Sequence, residues 1–325
     1  MRCDVALACA DMGEFELIGE ITKKFTAQAD VLLGPGDDAA QLRIDHGSVL
    51  ASADILVEDV HFRRGWTTPF GLGRRAAAQN FADIVAMGAN PRALLVSVAA
   101  PLATPESWFT ELAEGLQAEC DVVGASVIGG DLSTGPVITI AVTVLGDPSG
   151  GAPVTRAGAR VGDIVAVAGR LGWSALGLAA LERGVTVDPT LIDAYLVPTP
   201  PYAAGPAARA AGATAMLDVS DGLLADAGHI ARASGVTIAL DGALLLPDAT
   251  VAEAAAALGL DPMATLLTGG EDHALLATFP AGNPPELHIP QPLFRVIGRV
   301  EGAGAYPVLV DGAPFVGPAG HDHFR

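Results

Sequence analysis

The sequence predicts an α+β chain of two domains, on three observations. Its 325 residues, half of them hydrophobic, hold apolar material for two cores. Both halves mix strand-like and helix-like segments without the regular βαβ alternation of a doubly wound sheet. A Gly-Asp-Pro-Ser-Gly-Gly stretch at 146–151 stands between the halves and sets the expected domains at 1–147 and 148–325.

The elements follow from pattern. Glu14–Phe25 places Phe15, Ile18, Ile21 and Phe25 on one face, which predicts an amphipathic opening helix. A glycine-rich turn, GPGDDAA, leads to strand segments QLRI and SVLASADIL. Phe70–Met87 reads as a helix closed by Gly88, with Pro91 stopping its continuation. Strand ALLVSVAA, helix Glu106–Cys120, a turn GGDLSTG and strand VITIAVTVL complete the first half. In the second half, strand DIVAVAG precedes helices at Ser174–Arg183, Leu191–Leu196 and Ala203–Ala211. A strand ending near Leu217 runs through DVSDG into a helix. Strand VTIALD, a helix near Val251–Leu258, and strands HALLATF and LFRVIGRV complete the pattern.

Charge excludes several functions. The net charge of −19 offers nothing to neutralise nucleic-acid or lipid phosphates, so neither partner is expected. Lys23 and Lys24 are the only lysines, and no G-x-x-x-x-G-K-[ST] loop or V-A-I-K lysine exists. Cys3, Cys9 and Cys120 form no C-x-x-C pair, and an odd count argues for free thiols in a reducing compartment. The apolar N-terminal run is too short for a signal-peptide core, and no uncharged stretch reaches a membrane span. A cytoplasmic chain is expected.

The carboxylates keep unusual company. Asp37-Asp38 follows Gly-Pro-Gly, Asp54 ends a hydrophobic strand, and Asp83 sits in an apolar helix beside Asn80. Asp131 follows Gly129-Gly130, Asp218 and Asp221 bracket Val219-Ser220, and Glu271-Asp272 follows Gly269-Gly270. Each alone has a plain explanation: a turn cap, a buried hydrogen bond, a loop polar, a helix cap. Together they describe oxygen ligands for magnesium, which bridges carboxylates to substrate phosphates. Several such ions turn an acidic cleft into a polyphosphate site without a lysine. The GPGDDA segment fits G-x-G-x-x-[GA], but a strand follows it and its carboxylates repel a bare pyrophosphate, so it is no dinucleotide site. Gly71-Leu72-Gly73 reads as a helix entry. His61 by itself reads as structural, and no histidine or cysteine cluster supports zinc.

The motifs GEFELI, GPGDDAA, SADILVEDVHF, NFADIVAMGANP, IGGDLSTGP, TRAGARVGD, DVSDGLLADAGHI, LTGGEDHAL and GHDHF resemble, in order and spacing, the thiamine-monophosphate kinase family. The resemblance implies direct phosphoryl transfer from ATP to thiamine monophosphate with several magnesium ions. It also implies a homodimer in which the N-terminal sheets pair into a β-barrel, beside a C-terminal α+β sandwich. By the same resemblance Asp38, Ser52, Asp54, Asp83, Asp131, Asp218 and Asp221 are the metal set, with Asp54, Asp131 and Asp218 central to catalysis. Gly130, Asp131, Arg156 and Ser220 are nucleotide contacts; His61, Glu271 and His321 are acceptor contacts. The chain departs from the family pattern at Ala53, Asp59, Ala82 and His321. The missing hydroxyl at 53 and the imidazole at 321 bear on metal and substrate binding. Rival readings are another ATP-dependent enzyme of the wider superfamily and a non-catalytic nucleotide or thiamine-phosphate binder. The absence of a C-terminal cysteine and of a reactive Cys-Lys pair disfavours the first, and the complete acidic set disfavours the second.

Overall fold

The computed structural model describes residues 14–35, 40–281, 288–289 and 291–320. The chain forms two compact units: Met1–Ile84 with Asn90–Gly150, and Val85–Ala89 with Gly151–Arg325.

In the first unit α1 (Glu14–Thr22) precedes the short antiparallel pair β1 (Val31–Leu33) and β2 (Gln41–Leu42). Then follow β3 (Leu50–Val57), α2 (Pro69–Ala86), β4 (Asn90–Ala100), α3 (Glu106–Val123), β5 (Ser126–Thr134) and β6 (Thr139–Asp147). The sheet order is β3-β6-β4-β5. β6 pairs antiparallel with β3 and β4, while β5 runs parallel to β4, with α3 as the crossover a parallel pair demands. Strict alternation along β6 buries Ile140, Val142 and Val144 on one face, the face on which α2 sets Ile84 against Gly146. The opposite rows, through Ile55, Ala141, Ser97 and Leu95, are uncovered within this unit. Ile55 is 46% and Leu95 38% exposed.

α2 and α3 touch backbone to backbone. A Cβ at Gly73 would lie 2.1 Å from the Leu112 carbonyl oxygen, and one at Gly115 would lie 2.0 Å from that of Phe70. Gly71-Leu72-Gly73 does lie at the entry of α2, and Gly73 is in addition a helix-contact residue.

The second unit begins with β7 (Ile164–Ala168), α4 (Trp173–Arg183), α5 (Pro189–Leu196), α6 (Ala204–Ala210), β8 (Ala215–Val219), α7 (Leu223–Ser234) and β9 (Thr237–Leu240). It continues with α8 (Ala249–Leu258), α9 (Pro262–Thr268), β10 (Ala274–Phe279), β11 (His288–Ile289), β12 (Gln291–Pro292), β13 (Arg295–Glu301) and β14 (Val308–Val310). Its six-stranded sheet has the order β14-β9-β13-β7-β10-β8, antiparallel except for β14 beside β9. Both faces are covered. Val165, Val167, Leu217, Val219, Ala274 and Leu276 pack with Leu223, Ala227 and Ile230 of α7. The alternate residues Ala166, Ala168, Met216, Leu275, Ala277 and Phe279 pack with Ala204 and Ala208 of α6. That is why HALLATF reads as a continuous apolar run rather than an alternation. The architecture is mixed α+β in both units.

Two expectations need correction. GGDLST is not a turn: Gly129–Thr134 lie within β5, because these residues take the ladder of β4. Asp54 does not end its strand, since β3 pairs with β6 through Val57. Helix α9 and strand β14 have no counterpart in the expected pattern. Among the described residues no single helix is long and apolar enough to cross a membrane. The bent pair α8–α9, apolar enough when taken together, turns by 106° and buries Val251, Leu266 and Leu267.

The glycine contact yields a stability prediction. Gly115→Ala should lower unfolding free energy by about 1–3 kcal/mol, because a carbonyl cannot retreat as a side chain can. Gly19→Ala, with nothing within 4 Å of its Cβ, should be neutral or stabilising by up to about 1 kcal/mol. Urea denaturation of both variants makes the comparison.

Candidate active site

In the first unit the acidic residues are held in pairs between β3 and α2. Ser52 Oγ donates to Asp83 Oδ2 at 2.7 Å, and Gln79 Nε2 donates to Asp54 Oδ2 at 2.8 Å. Each carboxylate thus has one oxygen engaged by a neutral donor, which helps to fix its orientation. Gln79 is buried and was not among the expected site residues. Its position four residues before Asp83 on the same helix face was the available signal. Asn80, also buried, donates to Ala76 O at 2.8 Å instead.

His61 follows β3. The Val57 N–H donates to its Nδ1 at 3.0 Å, which leaves the proton of the neutral ring on Nε2, a donor suited to an anionic group. Asp131 stands on β5. Gly130 beside it admits β5 close to β4, since a Cβ there would lie 1.8 Å from Val96 O.

Register separates Asp131 from Asp54. Asp131 shares a row with Ser97, Ala141 and Ile55, whereas Asp54 shares the adjacent row with Val142, Val96 and Gly130. Adjacent rows face opposite ways, and three strand spacings put the two about 14 Å apart across the sheet. Asp54 and Asp131 therefore do not meet within one sheet.

In the second unit β8 carries Asp218, and Ser220, Asp221 and Gly222 lead into α7. Asp218 is buried, and its Oδ2 lies 3.2 Å from His273 Nδ1. Asp226, in the first turn of α7, accepts from the N–H groups of Asp221 (3.0 Å) and Gly222 (3.1 Å). Burial, then the charges of Asp218 and Asp221, push the Asp226 carboxyl up to about 7. Asp221, Asp226 and His229 bring their ligand atoms within 4.8 Å of one another. Burial and the nearby Arg156 and Arg232 guanidinium groups lower the His229 pKa. Arg156 belongs to a loop clipped to α7 by Ser234, whose Oγ donates to Arg156 O and accepts from the N–H groups of Gly158 and Ala159.

Glu271 joins this group through the backbone. Its N–H donates to Ser220 O at 2.7 Å, and the following His273 N–H donates to Val219 O at 3.0 Å. Between them the partly buried Asp272, pushed up to about 7 by burial, accepts from Gly172 N at 2.5 Å and Ser174 N at 2.9 Å. Close by is a cavity of about 330 Å³ lined by Leu260, Thr265, Thr268, Gly269, Gly270 and Gly320. The C-terminal tail reaches it by packing Gly320 on Asp221 O, where a Cβ would sit at 2.3 Å.

Of the expected residues, then, Ser52 meets Asp83 in the first unit, with Asp54 held by the same helix. In the second, Asp218, Ser220, Asp221 and Glu271 gather around the start of α7, whereas the Arg156 backbone is held at the helix's last residue, Ser234, with its charge felt by His229. Asp37, Asp38 and His321 lie outside the described residues. Asp226, His229 and His273 were missed, although all three sit inside motifs the sequence displays, and Asp272, noted there beside Glu271, was given no site role. Their signal was the pairing of acid and imidazole within DVSDGLLADAGH and GGEDH.

Residues 36–147 match the AIR synthase related protein N-terminal domain, and residues 160–308 match the corresponding C-terminal domain. The thiamine-monophosphate kinase of Mycobacterium tuberculosis is 47% identical over 318 residues, covering 96% of this chain and 92% of that protein. That of Corynebacterium glutamicum is 41% identical, covering 89% and 86%. A solved structure, AaThiL complexed with AMPPCP and TMP, superposes with a TM-score of 0.79 at 33% identity, covering 100% of this chain and 99% of that one. With such identity sustained along nearly its whole length, the chain belongs to the thiamine-monophosphate kinase family.

Proposed function

We propose that the protein transfers the γ-phosphoryl group of ATP to thiamine monophosphate, giving ADP and thiamine diphosphate, with magnesium ions in its acidic site. The observation that carries this reading is the direct junction of two loops. Glu271 N–H to Ser220 O, at 2.7 Å, sets an acceptor-side carboxylate beside the Asp218-Ser220-Asp221 cluster. The related structure of AaThiL complexed with AMPPCP and TMP supports a nucleoside triphosphate donor and thiamine monophosphate as the two substrates.

The donor set fits magnesium. Ser52, Asp54, Asp83, Asp131, Asp218 and Asp221 offer only hard oxygen ligands, the type magnesium selects. Asp226 stands beside Asp218 and Asp221, and burial first, then their charges, push its carboxyl up to about 7. Asp38 completes the set by family resemblance. When bound, the metal would neutralise the polyphosphate and hold its oxygens in place.

The residues divide the remaining work. Arg156 offers a planar fork for bidentate phosphate contact, with Gly130 and Ser220 giving close approach and a hydroxyl. By family resemblance His61, Glu271 and His321 are the acceptor contacts. A phosphate oxygen of thiamine monophosphate forms the new bond to the γ-phosphorus. The bond from that phosphorus to the bridging oxygen breaks, and ADP leaves with the electron pair. The attacking phosphate is already anionic at neutral pH, so positioning and charge neutralisation suffice and no general base is required.

A homodimer belongs to the same reading. The uncovered sheet face bearing Ile55 and Leu95 is apolar enough to take a second copy and close a β-barrel. Asp131 stands on that face, so pairing would bring it to a subunit boundary instead of to Asp54 of its own sheet. We place the enzyme in the cytoplasm, where ATP is available and a thiol such as Cys120 stays reduced.

Three outcomes are expected. Protein incubated with ATP, magnesium and thiamine monophosphate should release ADP and thiamine diphosphate on chromatography, and excess EDTA should stop it. If other phosphorylated acceptors are consumed while no diphosphate appears, the substrate assignment is wrong. Asp131→Asn should reduce turnover at least about 100-fold, the loss of a transition-state charge contact, with its melting temperature unchanged. Ile55→Asp should shift the molecular mass measured by light scattering from dimer to monomer, and activity should fall with it.

A further inference from the structure

We infer that His273 is a positioning residue for the Asp218 carboxylate, tying the acceptor-side loop to the metal-side strand. The inference deepens the proposed function, because it takes Asp218 as a magnesium ligand.

The backbone around His273 is bonded on both sides. The N–H groups of Glu271 and His273 donate to Ser220 O and Val219 O, so this segment is fastened to the end of β8. Asp272, between them, turns the other way and accepts from Gly172 N and Ser174 N at the start of α4. That zigzag requires left-handed backbone at two residues that are not glycine, Glu271 with φ 65° and His273 with φ 49°. Such conformations are strained and persist only where surrounding bonds over-determine them.

The outcome of the strain is where the imidazole arrives. His273 Nδ1 lies 3.2 Å from Asp218 Oδ2, with each residue 7% exposed. An ionised carboxylate only accepts, so Nδ1 carries the proton in this bond. One Asp218 oxygen is then engaged and the carboxylate plane is set, while its other oxygen retains its lone pairs for a cation. Glu271, two residues from His273, is held by the same segment. A shift at the acceptor contact is therefore passed to the metal ligand through two residues of backbone. Support of this kind beyond the ligands themselves ordinarily contributes 10–100-fold, by rough measure, to metal affinity.

The test uses the full-length chain with Mn(II) as probe in the presence of AMPPCP, free Mn(II) being read by electron paramagnetic resonance. His273→Leu should weaken Mn(II) binding by about 10–100-fold. His273→Asn, whose amide N–H stands where Nδ1–H stands, should restore most of it. Thiamine monophosphate should tighten Mn(II) binding in the wild type and lose that effect in His273→Leu. Should the leucine variant melt below the assay temperature, His273→Gln replaces it. Its amide reaches the Nε2 position instead, so it must bind Mn(II) as weakly as the leucine variant was expected to. A folded leucine or glutamine variant binding Mn(II) as the wild type does would overturn the inference, as would an asparagine variant no better than leucine. If the wild type makes no thiamine diphosphate, the function fails. If the wild type is active and the variants bind normally, only the role of His273 fails.

Discussion

The pairing of β8 with β10, in the register Asp218 to Leu275, brings two loops to one end of the second unit's sheet. Residues 218–221 leave β8 there and residues 269–273 enter β10 there, though some fifty positions separate them in the chain. Everything at that end depends on the backbones lying close. Gly270 makes it sterically possible, since a Cβ would meet Ser220 O at 2.5 Å. The bonds from Glu271 and His273 to Ser220 and Val219 then extend the ladder past its last regular pair. A substituted glycine at 270 would part the two loops.

Electrostatics set the second constraint. A chain with net charge −19 gathers carboxylates at its most functional positions, which is unfavourable unless each is given a donor or a cation. The first unit supplies neutral donors, Ser52 for Asp83 and Gln79 for Asp54. The second uses backbone N–H groups for Asp226 and Asp272, and an imidazole for Asp218. A neutral donor orients a carboxylate without itself adding positive charge. Asp30, by contrast, is salt-bridged to Arg92.

Much of the fold was readable because periodicity reports burial. The alternation of VITIAVTVL is a strand with one covered face, and the unbroken ALLATF is a strand with two. Helix α9 escaped notice because it is short, although Asp261-Pro262, an N-cap followed by proline, announced its start. GGDLST was misread because glycines in a strand look like a turn unless a neighbouring backbone is known to press on them. Gln79 and His273 were missed because nothing in a one-dimensional string says which carboxylate they touch.

The sequence alone therefore pointed to the class of reaction: carboxylates at glycine-flanked positions, one family's motifs in order, and no G-x-x-x-x-G-K-[ST] lysine for phosphate. Those features are local, and local sequence records them. Only the tertiary structure decided which acids stand together. Strand order places Asp54 and Asp131 on opposite rows, while the β8–β10 pairing joins Asp218 to His273 and Ser220 to Glu271. Such proximities arise from long-range hydrogen-bond register, and a shift of a single residue would reverse every facing without changing one letter of the motifs.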